Sequence, residues 1–143
     1  MLVVKKALLI LLCIFLLTGC GMPQDRRIPE GYILAQEFRD PQGGQDYTDF
    51  CIYVYESDEG FRCDPHYRRM TQADTETAAY FAADFRNWME LEGRLEEFTF
   101  DESCISTGDF YFLRADEEHP TWDYTLFYLD TESLTLYYMH TNL

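Results

Sequence analysis

The hydrophobic pattern after residue 30 predicts a hairpin at the start of the folded part. Residues 31–38 and 49–56 are rich in β-branched and aromatic side chains, and the turn-forming run 41–44 lies between them. Side chains alternate along a strand, so Phe50, Ile52 and Val54 share one face of the second segment. We expect that face to lie in the core.

The next segment has the spacing of a helix. Thr71 followed by Asp74 resembles a capping box, and Gly93 is a natural stop, so we expect one amphipathic helix over residues 72–92. Its large apolar residues should face a sheet. They are Phe81, Phe85, Trp88 and Met89.

The pattern of the remaining chain predicts strands. We expect them at 109–114, 123–129 and 134–141, with an additional short strand at 98–100. The order β-β-α-β-β-β predicts an α+β fold, in which one long amphipathic helix packs on a largely antiparallel sheet of about five or six strands. Length and composition place all of this in a single domain, residues 31–143.

The C-terminal hairpin offers a candidate contact surface. With its turn at 130–133, Leu129 should lie opposite Leu134, Phe127 opposite Leu136 and Leu126 opposite Tyr137. The face carrying Phe127 and Leu129 would then form the core layer under the helix. The other face carries Tyr124, Leu126, Tyr128, Thr135, Tyr137 and Met139. Its tyrosines are typical of recognition surfaces, so we predict that Tyr124, Leu126, Tyr128, Tyr137 and Met139 bind a partner.

The first residues have the features of a secretory signal. Lys5 and Lys6 precede an apolar run at residues 7–17, which is shorter than the roughly 20 residues that a transmembrane helix needs. The stretch that follows contains Pro23 and Pro29 and has no apolar periodicity. Such a stretch is typical of a tether.

The sequence Leu17-Thr18-Gly19-Cys20 resembles the lipobox of bacterial lipoproteins. The resemblance implies that residues 1–19 are a signal peptide, that Cys20 carries the acyl chains of an anchor, and that 20–30 is a tether. The protein would then lie on the extracytoplasmic face of a bacterial membrane, with the bilayer as one partner. The closing run 128–140 also resembles the ends of small lipoproteins of Gram-positive bacteria.

The charge balance narrows the range of partners. Two of the 11 basic residues, Lys5 and Lys6, fall in the signal, and the rest are arginines, set against 26 acidic residues. Such an acidic chain does not suit a phosphate backbone or an anionic lipid surface, so we expect no nucleic-acid partner.

Familiar catalytic motifs are missing from the sequence. It has no G-x-S-x-G, H-E-x-x-H or phosphate-binding glycine motif, and the part after the signal has no lysine for Schiff-base chemistry. His66, His119 and His140 lack the spacing of a helical ligand pair, so we expect neither a metal nor a cofactor.

Three cysteines remain after Cys13 leaves with the signal and Cys20 takes the lipid. Cys51, Cys63 and Cys104 could form one disulfide in any of its three pairings, or all three could stay reduced as small buried side chains.

These features favour a membrane-anchored, non-enzymatic binding module whose partner is an envelope protein, peptide or glycan. One alternative is an envelope hydrolase of glycan or peptide that uses a carboxylate pair or a Cys-His pair such as Cys63 with His66. A second alternative is an inhibitor or immunity protein.

The anchor predicts the behaviour of a single substitution. Cys20→Ala removes the side chain that carries the lipid, so the protein should leave the membrane fraction or persist as an uncleaved precursor. Fractionation and intact mass measure this, with Cys13→Ala in the signal as the control. A mature, lipid-modified Cys20→Ala protein would contradict the assignment.

Overall fold

Six strands form one antiparallel sheet in the computed structural model, which describes residues 27–41 and 46–143. The strands are β1 Leu34–Phe38, β2 Tyr47–Val54, β3 Arg68–Arg69, β4 Phe110–Ala115, β5 Asp123–Asp130 and β6 Thr135–Asn142. Their order across the sheet is β1-β2-β6-β5-β4-β3. The prediction of an α+β fold with an antiparallel sheet is confirmed. The signal, Cys20 and most of the expected turn at 41–44 lie outside the described residues.

Among the described residues, two α-helices accompany the sheet, α1 Glu59–Cys63 and α2 Gln72–Leu91, together with two short 3-10 segments, Leu95–Glu97 and Glu102–Cys104. The predicted capping box is present, because the Thr71 N–H donates to Asp74 Oδ2 at 2.8 Å and Thr71 Oγ1 accepts from the Asp74 N–H. The chain leaves α2 through Gly93, whose φ of 70° lets the Arg94 N–H reach the Met89 carbonyl at 2.8 Å. Both ends of the helix are therefore set by local sequence.

The C-terminal hairpin pairs in a register that differs by two residues from the expected one. Leu129 lies opposite Leu136, Phe127 opposite Tyr138 and Leu126 opposite Met139. The shift arises in the loop, because four residues lie between the paired Asp130 and Thr135. The Asp130 carboxylate stabilises this loop by accepting from the Glu132 N–H at 2.9 Å. A shift of two leaves every side chain on its expected face.

The helix covers the tyrosine face of this hairpin, not the face that we expected. Tyr124, Leu126, Tyr128 and Met139 pack with Phe81, Phe85 and Met89 of α2 in the first core. The tyrosines tolerate burial because their hydroxyls find acceptors there. The Tyr124 hydroxyl donates to the Phe81 carbonyl at 3.1 Å, and that of Tyr128 donates to Asp109 Oδ2 at 2.5 Å.

The opposite face of the sheet forms a second core. Sheet residues in it include Cys51, Tyr53, Phe110, Phe127, Leu129, Leu136 and Tyr138. Its cover consists of Ile28, Phe61 of α1 and Tyr67. Two tyrosines fix the N-terminal segment, because Tyr55 donates to the Pro29 carbonyl at 2.8 Å and Tyr67 donates to the Arg27 carbonyl at 2.9 Å. Residues 27–30, which we expected in the tether, therefore pack on the domain.

Of two further expectations about strands, the one about β2 is confirmed and the one about residues 98–100 is wrong. The face of β2 that we expected in the core does lie there, because Phe50 is fully buried in the first core and Ile52 packs against it. The opposite face is also buried, with Cys51 and Tyr53 in the second core. Residues 98–100 form no strand; Phe98 and Phe100 pack into the first core instead, with the Phe98 ring 5.0 Å from that of Phe50.

The three described cysteines are free. Cys51 lies in the second core, Cys104 packs against the first, and Cys63 is exposed at the end of α1. Because Cys51 and Cys104 are on opposite sides of the sheet, the fold does not bring this pair together.

Arg94 joins the end of α2 to the sheet. Its guanidinium donates to the Thr48 carbonyl of β2 at 2.8 Å, to the Phe38 carbonyl of β1 at 3.1 Å and to Glu97 at 2.9 Å. This one side chain therefore links three segments that are distant in sequence.

Burial in the first core predicts unequal effects of two substitutions in α2. Phe85 is fully buried, so Phe85→Ala should cost about 3 to 5 kcal/mol of unfolding free energy. Trp88 is half-buried and donates to Asp84 at 3.2 Å, so Trp88→Ala should cost distinctly less. Urea unfolding measures both, and equal losses would contradict the placement of Phe85.

Candidate functional site

The residues that we expected to bind a partner are not exposed. Tyr124, Leu126, Tyr128 and Met139 are at most 1% exposed, and Tyr137 is half-buried against the first core. The prediction that this face is an accessible contact surface is therefore wrong. Its tyrosines hold the helix on the sheet.

An open groove lies instead at the β4 edge of the sheet, where β3 ends. Strand β3 pairs only with Tyr111 and Phe110, whereas β4 continues to Ala115. Among the described strands, none lies beyond residues 112–115 on this side. The adjoining cleft has a volume of about 430 Å³. Residues that line it include His66, Arg68, Asp74, Thr77, Tyr111 and Leu113.

A hydrogen-bonded group of Arg68, Asp74 and Tyr111 lies at one end of the groove. The Tyr111 hydroxyl donates to Asp74 Oδ1 at 2.5 Å and accepts from Arg68, whose Nη2 also lies 3.1 Å from Asp74 Oδ1. The bond from Tyr111, with those from Thr71, lowers the pKa of Asp74 from 3.8 to about 2. Burial and the Asp74 bond raise the pKa of Tyr111, so the phenol stays protonated as a donor.

Arginines are concentrated along this edge. Arg69 lies over the Phe110 ring at 4.7 Å, Arg27 lies over the Phe112 ring at 5.4 Å, and Arg114 follows two residues further along β4. Within the described part of the chain, neither Arg69 nor Arg114 has a carboxylate at ion-pair distance. A carboxylate does lie at ion-pair distance from four other arginines: Arg39, Arg62, Arg86 and Arg94.

The fold does not assemble the expected pair of Cys63 and His66. His66 lines the groove, with its Nδ1 2.8 Å from Asp64 Oδ1, whereas Cys63 lines a separate cleft of about 390 Å³ beside Tyr55 and Glu59. Burial raises the pKa of the Cys51 and Cys104 thiols to about 11 each, which keeps them protonated and weakly nucleophilic.

The remaining histidines have structural contacts. His140 is buried, with Nδ1 3.0 Å from the Tyr124 carbonyl and Nε2 3.0 Å from the Tyr47 hydroxyl. A carbonyl only accepts, so this network assigns the proton to Nδ1 and makes Tyr47 the donor to Nε2. The His119 ring stacks on that of Trp122 with centroids 4.5 Å apart. Each imidazole thus has an assigned structural contact.

Over the described ranges, no three His, Cys, Asp or Glu side chains converge to hold a metal ion. The same ranges contain no helix that combines the length and apolar character needed to cross a bilayer.

Comparison with known proteins gives no match for this chain among protein-family models, curated sequences or solved structures. Its function must therefore be argued from the residues themselves.

Sequence reasoning missed Arg68, Asp74, Tyr111 and Arg114 as a site. The segment 61–69 gave no clear pattern, so the short β3 that opens the groove was not expected. The sequence did contain one indication of the site. Arginine is scarce after the expected signal peptide, yet two arginines are adjacent at Arg68 and Arg69.

The lowered pKa of Asp74 predicts an acid-dependent contribution to stability. A depressed carboxyl pKa stabilises the fold above the unfolded value of about 3.9, and this contribution is lost as the pH falls toward 2. The gap in Tm between the wild type and Asp74→Asn should therefore be widest near neutral pH and shrink below about pH 4.

Thermal unfolding followed by circular dichroism measures that gap. Tyr111→Phe removes the largest cause of the shift, so it should make the acid dependence of the Asp74 contribution shallower. Wild-type and Asp74→Asn curves that run parallel from neutral pH to about pH 2 would contradict the assignment.

Proposed function

We propose that this chain is an extracytoplasmic lipoprotein whose domain binds an envelope protein, peptide or glycan without catalysing a reaction. The lipobox-like residues 17–20 and the short apolar run before them support the anchor. Only residues 21–26 lie between Cys20 and the described domain, and the seven residue steps from Cys20 to Arg27 span at most about 25 Å. The domain would then work close to the surface of its membrane.

The observation that carries the binding role is the groove at the β4 edge. It combines a strand edge that is open within the described residues with apolar lining from Leu113 and with the exposed Arg68. Peptide-binding sites combine three kinds of contact: hydrogen bonds to unpaired backbone groups, packing against apolar side chains, and interactions between charges.

The internal hydrogen bonds favour binding over hydrolysis. Buried Asp109 accepts from Tyr128 and from the Thr131 hydroxyl at 2.6 Å, and Asp49 accepts from Arg39 at 3.1 Å. His140 is held by Tyr47 and the Tyr124 carbonyl. These groups have the chemistry of acids and bases, but their hydrogen-bonding positions are used to fix the strands.

Within this proposal, α2 acts as the amphipathic helix that the sequence predicts. Its inner residues Ala78, Phe81 and Phe85 pack on the sheet, while Thr77 and Tyr80 remain exposed. Residues three apart on a helix are neighbours, so Tyr80 extends the wall that Thr77 gives to the groove.

A photo-crosslinking amino acid at Thr77 tests this function in intact host cells. Illumination should join the protein to a specific envelope component through the groove. The same residue at Glu90, exposed about 20 Å further along α2, is the matched control. Equal crosslinking from the two positions, or none from Thr77, would contradict the proposal.

A further inference from the structure

The hydrogen-bond pattern of β4 shows which backbone groups point to the open edge. The Asp116 N–H donates to the Asp123 carbonyl at 2.8 Å, and residues alternate in an antiparallel ladder, so Phe112 and Arg114 bond toward β5. Leu113 and Ala115 then direct their N–H and C=O groups away from β5. No described strand pairs with them there.

The two sides of this edge differ in chemistry. On the side of the second core, Arg69 lies over the Phe110 ring, where β3 still pairs, and Arg27 lies over the Phe112 ring. The exposed Arg114 follows on β4, and its Nη2 donates to Thr125 Oγ1 of β5 at 3.2 Å. On the side of α2, Leu113 and Thr77 line the cleft with apolar and small groups. Arg114 is therefore the exposed guanidinium of β4 beside the open part of the edge.

We propose that the β4 edge binds an extended segment of another polypeptide as an added strand, with a carboxylate beside Arg114. Its backbone pairs with Leu113 and Ala115, and its intervening apolar side chains enter the cleft beside Thr77. This inference rests on the proposed binding function and specifies the chemistry of the partner.

Charge complementarity selects this occupant. The whole chain carries a net charge of −15, so the exposed Arg114, which has no carboxylate at ion-pair distance among the described residues, is an exception on its surface and attracts a segment of opposite charge. A second copy of the chain fits less well. Its exposed edge strand β1 has the sequence LAQEF, in which Glu37 is the only acid.

A labelled peptide provides the test. The probe is a short fluorescein-labelled peptide of alternating glutamate and valine, titrated against the full chain in mild detergent and followed by fluorescence anisotropy. The matched peptides are alternating lysine and valine, and a glutamate-valine peptide with N-methyl groups on alternate amides. We expect only the unmethylated acidic peptide to bind, and its affinity to fall as salt is added.

Protein variants locate the contact. Arg114→Glu should weaken binding of the acidic peptide by about tenfold or more, because an attractive pair becomes repulsive. Arg62→Glu makes the same charge change on α1, where Arg62 is exposed and paired with Asp58, and should leave binding unchanged.

The inference is overturned if the lysine peptide or the methylated peptide binds as well as the acidic one. It is also overturned if Arg62→Glu weakens binding as much as Arg114→Glu, or if the free protein forms a dimer that Arg114→Glu abolishes. The peptide comparisons use the unaltered protein, so they decide the question even if a variant misfolds. If no peptide binds while the Thr77 crosslink persists, the partner chemistry is wrong and the binding function stands.

Discussion

Apolar side chains on both faces of one sheet are the constraint on which the rest of this structure depends. Strand β5 alternates between Tyr124, Leu126 and Tyr128 on one side and Phe127 and Leu129 on the other, and all five are buried. A single helix covers only one face, so the chain must supply a second cover. Residues 27–32, α1 and Tyr67 provide it, which is why the folded part begins earlier than its first strand.

Polar contacts join these covers to the sheet. Tyrosine hydroxyls of the sheet, or of the segments next to it, donate to backbone carbonyls of the covering segments, as Tyr124 does to Phe81 and Tyr55 does to Pro29. A buried hydroxyl without a partner would be costly, so each bond favours one placement of its cover. The abundance of tyrosine in this chain therefore has a structural use, and it does not by itself indicate a recognition surface.

Local signals in the sequence predicted local structure well. The capping box at Thr71 and the stop at Gly93 depend on neighbouring residues only, and strand periodicity correctly grouped the residues of each face of the C-terminal hairpin. Periodicity does not say which face meets the helix, because that choice depends on covers distant in sequence. The groove was missed for the same reason: it exists because β3 has two residues and β4 has six.

The arginine side chains at the β4 edge also affect whether this open strand can pair with the same strand of a second copy. Charged side chains on an edge strand commonly prevent association between copies, and pairing the open parts of two β4 edges would bring the Arg114 side chains of the two copies together. Like charges would then repel across the new pair. Carboxylates reverse the sign of that interaction without changing the backbone geometry. The feature that blocks edge-to-edge association between two copies is thus the same feature that selects an acidic strand.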